Sequence, residues 1–194
     1  MEIDEINYGI ESQFHMLRHF ESPSDELKQQ LINSGYSMIQ IEAELNEPGS
    51  RFWGSFATDI SSLLDKAFAC GFSTQIGSNG NIILNGRAKK DDYSGGIGTK
   101  SVISIEDLEE LNRSRIFIKK NRGTDLLHLR VETLPTTLEF TIILKKTSTN
   151  YIFITAFSGE PAMPLPSYDL PNDLRKQCQV YWTTHVFLVK SNSC

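Results

Sequence analysis

The sequence predicts an α+β protein, in which a helical N-terminal layer is followed by a mostly antiparallel β-sheet domain. Two observations lead to this fold class. Apolar residues recur at helical spacing up to about residue 70, whereas short alternating stretches separated by turn residues follow from residue 72 onwards. The pattern therefore divides the chain into a helical region, residues 1–90, and a sheet domain, residues 91–194.

The predicted helices have recognisable ends. Ser24 is placed to cap a helix that begins at Asp25, because a serine hydroxyl can accept a hydrogen bond from the first helical turn. Gly35 and Gly71 directly follow two of the helical stretches, at the position where glycine commonly ends a helix. The predicted helices cover residues 10–20, 25–35, 37–46 and 52–71.

The strand pattern occupies the remainder of the chain. Asn79-Gly80 predicts a tight hairpin turn, since this pair tolerates the backbone angles that such turns need. A further turn is expected at Asn121-Arg122-Gly123, and another near Thr147–Asn150. The predicted order is a hairpin over residues 72–86, a loop over 87–100, a strand and short helix over 101–114, two strands over 115–132, a hairpin over 137–157, a proline-rich connection over 160–176 and a last strand over 178–190.

Charge is unevenly distributed along the chain. The formal net charge is −5, yet residues 1–85 carry −8 and residues 86–194 carry +3. Net acidity would argue against nucleic-acid binding, but this division removes that argument for the C-terminal part. The alternative interpretation is that two differently solvated surfaces divide the charge and that no ligand is involved.

The cysteines and the apolar stretches indicate the compartment. Cys70, Cys178 and Cys194 form no CxxC pair, which argues against a disulfide framework and a thiolate zinc site. The acidic start MEIDEINYGIE is unlike a signal peptide, and no apolar stretch approaches the ~20 residues that span a bilayer. We therefore expect a soluble, cytoplasmic protein with no membrane partner.

Two motifs that suggest phosphate or metal binding do not meet their full requirements. GGIGTKS, residues 95–101, lacks the GxxxxGK[ST] spacing of a nucleotide-binding loop, so we expect a plain loop or one that delivers Lys100 to a site. His15 and His19 have the i, i+4 spacing of helical metal ligands, but the sequence offers no third ligand. We therefore expect neither a metal nor a cofactor.

One predicted strand combines residues that suit phosphodiester chemistry. Alternation along LLHLRVE, residues 126–132, places His128, Arg130 and Glu132 on the same strand face. A histidine transfers a proton near neutral pH, and an arginine neutralises charge that develops on phosphate oxygens. The alternative is an ordinary solvated polar face.

Other polar residues lie on the later predicted strands. Thr155 is the polar residue of FITAF, residues 153–157. His185 is expected to share a strand face with Tyr181, Thr183 and Phe187. Whether these residues meet those of LLHLRVE depends on the order of the strands in the sheet, which local patterns leave open.

The order of these features resembles a known superfamily. A glycine-rich loop with a basic residue (GGIGTK), a short helix (IEDLEELN) and a strand with histidine and arginine (LHLRV) precede PTTLEFTIIL, FITAFSGEP and WTTHVFLV, over about residues 95–190. This order resembles the small ribonuclease toxins of the BECR type, which groups barnase, EndoU, the tRNase colicins and RelE. Many nuclease domains of that superfamily contain a TAFPG-like segment, matched here by Thr155-Ala156-Phe157-Ser158-Gly159.

The resemblance implies a metal-independent endoribonuclease of toxin type, with RNA as substrate and a cognate immunity or antitoxin protein as a further partner. His128 would be the strand histidine and Arg130 the phosphate-binding cation. Thr155 would position a phosphate oxygen, and His185 is of the right type for a second acid–base residue. Two further residues, Lys100 and Tyr181, are expected to bind the substrate.

Two other functions remain open from the sequence. One is a non-catalytic interaction module, such as an immunity protein, effector or phage-encoded inhibitor, that binds a basic partner through the acidic helical half. The other is a domain that keeps the ribonuclease shape without the activity. Convergence of His128, Arg130, Thr155 and His185 in one cleft would favour the enzyme.

Overall fold

The structure is a computed structural model that describes every residue except 48, 78–79, 122–123, 161, 167–169 and 192–194. Its fold is α+β, as the sequence predicts. The helices are α1 (Ile10–Met16), α2 (Asp25–Asn33), α3 (Met38–Leu45), α4 (Ile60–Cys70), α5 (Glu110–Arg113) and α6 (Asn172–Thr184). No helix in this described part of the chain is long and apolar enough to cross a membrane.

The strands are shorter on average than the helices and are distributed along the whole chain. They are β1 (Ile6–Asn7), β2 (Arg51–Phe52), β3 (Phe72–Ile76), β4 (Ile82–Arg87), β5 (Gly98–Thr99), β6 (Val102–Ser104), β7 (Phe117–Asn121), β8 (Thr124–Val131), β9 (Thr136–Thr137), β10 (Glu139–Lys146), β11 (Tyr151–Ser158) and β12 (His185–Lys190).

The chain forms two compact units, each built from two segments. The large unit comprises residues 1–99 and 136–160, and the small unit comprises residues 100–135 and 161–194. The predicted boundary near residue 90 therefore falls inside the large unit. The reason is strand pairing: β10 pairs with β4, so the hairpin of β10 and β11 belongs with the N-terminal elements.

A five-stranded sheet organises the large unit, in the order β1-β11-β10-β4-β3. Its neighbouring strands are antiparallel except for β1 and β11, which are parallel. Strands β2, β5 and β9 form a second sheet of the same unit. Burial of a large apolar side chain stabilises a fold by about 1.5–3 kcal/mol. The largest fully buried side chains here include Phe20, Phe52, Phe56, Phe140 and Phe153.

Several predicted ends and turns are confirmed in the large unit. The Ser24 hydroxyl accepts a hydrogen bond from the Leu27 N–H at 3.1 Å, which caps α2. Gly71 ends α4 with a φ of 79°, a conformation that favours glycine. The β10–β11 hairpin turns at the predicted place, where the Thr147 N–H donates to the Asn150 carbonyl at 2.9 Å. The turn residues Asn79, Arg122 and Gly123 lie outside the described residues.

The helix predicted over residues 52–71 is too long at its start, because α4 begins at Ile60. The Asp59 carboxylate caps this helix by accepting a hydrogen bond from the Ser62 N–H at 2.8 Å. Phe52 lies in β2 and Phe56 in the following turn, and both are buried. Their four-residue spacing therefore reflects burial in the same core rather than a shared helical face.

The small unit is a four-stranded sheet, in the order β6-β12-β8-β7, with α6 leading directly into β12. The prediction of a last strand over residues 178–190 is wrong in its first half, because the helix α6 continues to Thr184. Cys178 and Trp182, one helical turn apart, are buried, whereas Val180 is 65% exposed. Burial at this spacing stabilises a helix rather than a strand.

The small sheet has two different faces. Leu129, Val186 and Leu188 form a buried apolar cluster on one of them. Side chains alternate along a strand, so the residues between these positions belong to the opposite face. That opposite face carries the histidines predicted from the sequence.

Candidate active site

Strand register places His128 and His185 on the same face of the small sheet. Strand β12 runs parallel to β8, with Phe187 directly opposite His128. His185 precedes Phe187 by two residues and therefore lies on the same face. From the strand rise and spacing, the Cα atoms of the two histidines are roughly 8 Å apart.

The cation predicted beside His128 is also on this face. Arg130 follows His128 by two residues on β8 and is exposed. Its guanidinium carbon lies 5.6 Å from the ring centroid of Phe117, which is opposite His128 on β7. A guanidinium over an aromatic ring is held by cation–π attraction without loss of its hydrogen-bond donors. Glu132, predicted on the same face, lies just beyond the end of β8 and is exposed.

Aromatic rings surround both histidines. The ring of His128 lies 5.6 Å from that of Phe117 and 5.5 Å from that of Phe187, between centroids. Phe187 in turn stacks with Trp182 of α6, at 4.6 Å. His128 is 8% exposed, so the expectation of an ordinary solvated polar face is wrong at this position. We call this set of residues, with Arg130, Tyr181 and His185, the histidine face.

Backbone carbonyls orient both imidazole rings in the same way. Nδ1 of His128 lies 3.0 Å from the Leu126 carbonyl oxygen, and Nδ1 of His185 lies 2.9 Å from that of Tyr181. A carbonyl only accepts hydrogen bonds, so each Nδ1 carries the proton in these contacts. Nε2 is then the nitrogen that holds the lone pair in the neutral ring. This arrangement fixes which atom of each histidine can accept a proton.

The two predicted substrate-binding residues also belong to the small unit. Tyr181 lies in α6 rather than on a strand, and its ring stacks on that of His185 with centroids 3.7 Å apart. Thr183, also predicted to share a strand face with His185, is an exposed residue of α6. Lys100 lies two residues before β6, where its N–H donates to the Pro135 carbonyl at 2.8 Å.

Thr155 lies in the large unit, apart from the unit that holds the other predicted catalytic residues. Its hydroxyl is 3.3 Å from Nε2 of His15 and 3.9 Å from the sulfur of Met16. Thr155 is 9% exposed. The hydroxyl contacts of Thr155 within the large unit are therefore with residues of α1.

The large unit thus holds a second histidine pair, for which the sequence favoured an exposed or half-buried helical pair over a metal site; His19 is in fact buried. His15 and His19 have ring centroids 5.6 Å apart, and Nδ1–H of His19 donates to the Ser50 carbonyl at 3.1 Å. Burial is the largest of the effects that lower the pKa of His19 to about 4. The nearby Arg18 and Arg51 also lower this pKa, whereas the hydrogen bond to Ser50 raises it. Burial also lowers the pKa of His15. The signal in the sequence was their i, i+4 spacing.

No group of three metal-binding side chains occurs in the part of the chain that the structure describes. A cleft of about 470 Å³ in the large unit contains none of the predicted catalytic or substrate-binding residues. Its lining includes Ser73, Asn85, Arg87, Glu139, Thr141 and Glu160. The small unit, by contrast, contains five of the six residues predicted for catalysis or substrate binding. Four of them, His128, Arg130, Tyr181 and His185, belong to the histidine face, and the fifth is Lys100.

Comparisons with protein-family models, with curated proteins and with solved structures find no significant match to this chain.

Proposed function

We propose that the protein is a metal-independent endoribonuclease of toxin type, with its catalytic groups on the small unit. The observation that carries this proposal is the pair His128 and His185. They lie on one sheet face, each with Nδ1 hydrogen-bonded to a backbone carbonyl, so that Nε2 holds the lone pair of the neutral ring, and the exposed Arg130 lies on the same face.

Two histidines and a guanidinium suffice for RNA cleavage by the ribose 2′-hydroxyl. Nε2 of one neutral histidine takes the 2′-hydroxyl proton while the 2′-oxygen attacks phosphorus. The bond from phosphorus to the 5′-oxygen breaks, and that oxygen takes a proton from the other histidine, which is protonated. Arg130 neutralises the charge that develops on the phosphate oxygens. The products are a 2′,3′-cyclic phosphate and a 5′-hydroxyl end.

The proposed chemistry restricts the substrate to RNA, and the charge of the small unit supports a nucleic-acid ligand. The reaction requires a 2′-hydroxyl, which DNA lacks. The small unit has ten basic and eight acidic residues, whereas the large unit has nine basic and sixteen acidic ones. The small unit is therefore the part of the chain with charge suited to a polyanion. A toxin of this kind acts in the cytoplasm and is opposed there by a cognate immunity or antitoxin protein.

Within this proposal, Tyr181 and Lys100 contact the substrate. Tyr181 presents an aromatic ring next to His185, and Lys100 supplies a further cation near β6. Thr155 is left out, because its hydroxyl contacts His15 and Met16 within the large unit.

The direct test is incubation of total RNA and purified tRNA with the protein in excess EDTA. We expect cleavage, and at least a ~100-fold slower rate for His128→Gln and for His185→Gln, because each removes one proton-transfer group. Circular dichroism should show that both variants remain folded. If His128→Gln unfolds, the rate of His185→Gln decides the test, because His185 is only half-buried. Intact RNA at high protein concentration, or unchanged rates in both variants, would contradict the proposal.

A second candidate function, a protein-interaction module, is favoured by one observation. Ile32, Met38 and Ile39 are 38%, 49% and 79% exposed, at the end of α2 and the start of α3. Exposed apolar side chains in a strongly acidic unit suit a partner with a basic rim. Stoichiometric binding of a partner that Ile39→Asp abolishes and Ile76→Asp preserves, without RNA cleavage, would favour this function. Ile76 is a matched control because it is 77% exposed on β3.

A further inference from the structure

We propose that strand β7 and Arg130 hold an unpaired RNA strand, with one base stacked at Phe117. This inference rests on the proposed ribonuclease function and specifies how the substrate lies on the small unit. Strand β7 is an edge strand of the four-stranded sheet. Phe117 pairs with His128, so its ring is on the histidine face, next to a proposed catalytic group.

Cations flank Phe117 on the same face. Lys119 follows Phe117 by two residues, pairs with Leu126 and is exposed. Arg130 follows His128 by two residues on β8. Because β8 is antiparallel to β7, Arg130 is displaced from Phe117 in the direction opposite to Lys119. Phe117 therefore has a cation on each side: Lys119 lies about 6.6 Å away along β7, and Arg130 is offset in the other direction on the neighbouring strand β8. This alternation of cation, ring and cation suits a backbone of phosphates that carries unstacked bases.

An unpaired base fits this position better than a base pair. The guanidinium carbon of Arg130 lies 5.6 Å from the centroid of the Phe117 ring, beyond the ~3.5–4.0 Å at which two carbon atoms are in contact. Arg130 is exposed, so a modest outward shift of its side chain admits a base between guanidinium and ring. Bases within a duplex are stacked on their neighbours and do not present a free face to such a slot.

The charges of β7 also disfavour the other use of an edge strand, which is pairing with a strand from another protein. Lys119 and Lys120 occupy consecutive positions on both faces of the strand, and lysines on an edge strand oppose strand addition. Lys120 is on the face opposite to Phe117, where its strand partner is Asp125. Lys120 therefore provides a matched control for Lys119.

The test uses a fluorescent 2′-O-methyl oligonucleotide, which lacks the attacking hydroxyl and so separates binding from cleavage. Binding is measured by anisotropy for the single strand and for its duplex, over a range of salt concentrations. We expect tighter binding of the single strand and about 10-fold weaker binding for Phe117→Leu, with Phe117→Tyr close to wild type. Lys119→Ala should reduce the magnitude of the slope of the logarithm of the affinity against the logarithm of the salt concentration by about one. Lys120→Ala should leave this slope unchanged.

Equal binding of duplex and single strand, or unchanged binding by both Phe117→Leu and Lys119→Ala, would overturn this inference. No binding of either oligonucleotide would also overturn it and would leave β7 for pairing with another protein chain. Failure of the ribonuclease proposal has a different signature. In that case the 2′-O-methyl strand binds as described, while ordinary RNA stays intact in EDTA.

Discussion

The two units of this protein each contain a pair of histidines, and the pairs differ in how the chain brings them together. His15 and His19 are neighbours on one helical turn, so they meet without any help from the rest of the fold. His128 and His185 are distant in sequence and share a sheet face only because β8 and β12 are adjacent and parallel. Close spacing in the sequence therefore accounts for the first pair but could not reveal the second.

The surroundings of the pairs differ as well. His19 is 5% exposed within the large core, and the nearby cations Arg18 and Arg51 disfavour a further positive charge there. His185 is half-buried at the end of α6, and the exposed Arg130 shares its sheet face. A polymer with negative charge suits the second environment, whereas the first is suited to a neutral structural histidine.

The largest difference between the units is expected in catalysis. Arg130→Gln should slow RNA cleavage about 100-fold, because it removes the cation that neutralises phosphate charge in the proposed mechanism. His15→Gln should leave the rate within about twofold of wild type, since His15 contacts Thr155 in the other unit. Initial rates with a fluorescent RNA substrate measure both effects. A large loss of rate in His15→Gln together with an unchanged rate in Arg130→Gln would contradict this assignment and indicate an active site in the large unit.

A smaller difference is expected in the response of stability to acid. The pKa of His19 is about 4 in the folded protein, against an ordinary value of 6.5. Between these values the unfolded chain takes up a proton that the folded chain does not, so the free energy of unfolding falls as pH falls from 6.5 to 4. The full loss is about 3 kcal/mol.

Urea unfolding of wild type and His19→Asn at pH 7 and pH 4 measures this contribution. Carboxylates also titrate in this range, so the variant isolates the part due to His19. We expect the loss of stability between the two pH values to be smaller in His19→Asn. Equal losses in the two proteins would show that His19 does not couple folding to protonation.

The smallest effect concerns the helix ends of the two units. Asp59 caps α4 through the Ser62 N–H, whereas Pro171 at the start of α6 provides no side-chain cap. Asp59→Ala should lower the free energy of unfolding by about 1 kcal/mol. Asp173→Ala, in the first turn of α6, should cost only about 0.3 kcal/mol, through the helix dipole. Equal effects in urea unfolding would argue that the Asp59 hydrogen bond does not stabilise α4.

Local features of the fold were predictable from the sequence because they depend on a few neighbouring residues. The Ser24 cap, the Gly71 helix end and the turn at Thr147–Asn150 all have this origin, and all are confirmed. The failures occurred where the core decides the conformation. Residues 52–59 and 178–184 have local patterns that suit more than one structure, and burial against distant residues selects one of them.

The candidate site was predictable only in part. Alternation along β8 correctly places His128 and Arg130 on one face, because that pattern belongs to a single strand. The placement of His128 and His185 on the same sheet face depends on a parallel pairing between remote strands, for which no local pattern exists. The placement of Thr155 outside the small unit has the same cause. Its strand, β11, pairs with β10, and the pairing of β10 with β4 assigns this hairpin to the large unit. No local pattern predicts the pairing of β10 with β4.

The most direct test of the central claim is the chemical identity of the RNA ends that the protein produces in EDTA. Mass spectrometry of a short cleaved RNA should find a 2′,3′-cyclic phosphate on one fragment and a 5′-hydroxyl on the other, as attack by the 2′-hydroxyl requires. The same RNA with a single 2′-deoxy residue at the cleavage position should stay intact. Ends with a 3′-hydroxyl and a 5′-phosphate, or cleavage of the 2′-deoxy substrate, would contradict the assignment of His128 and His185.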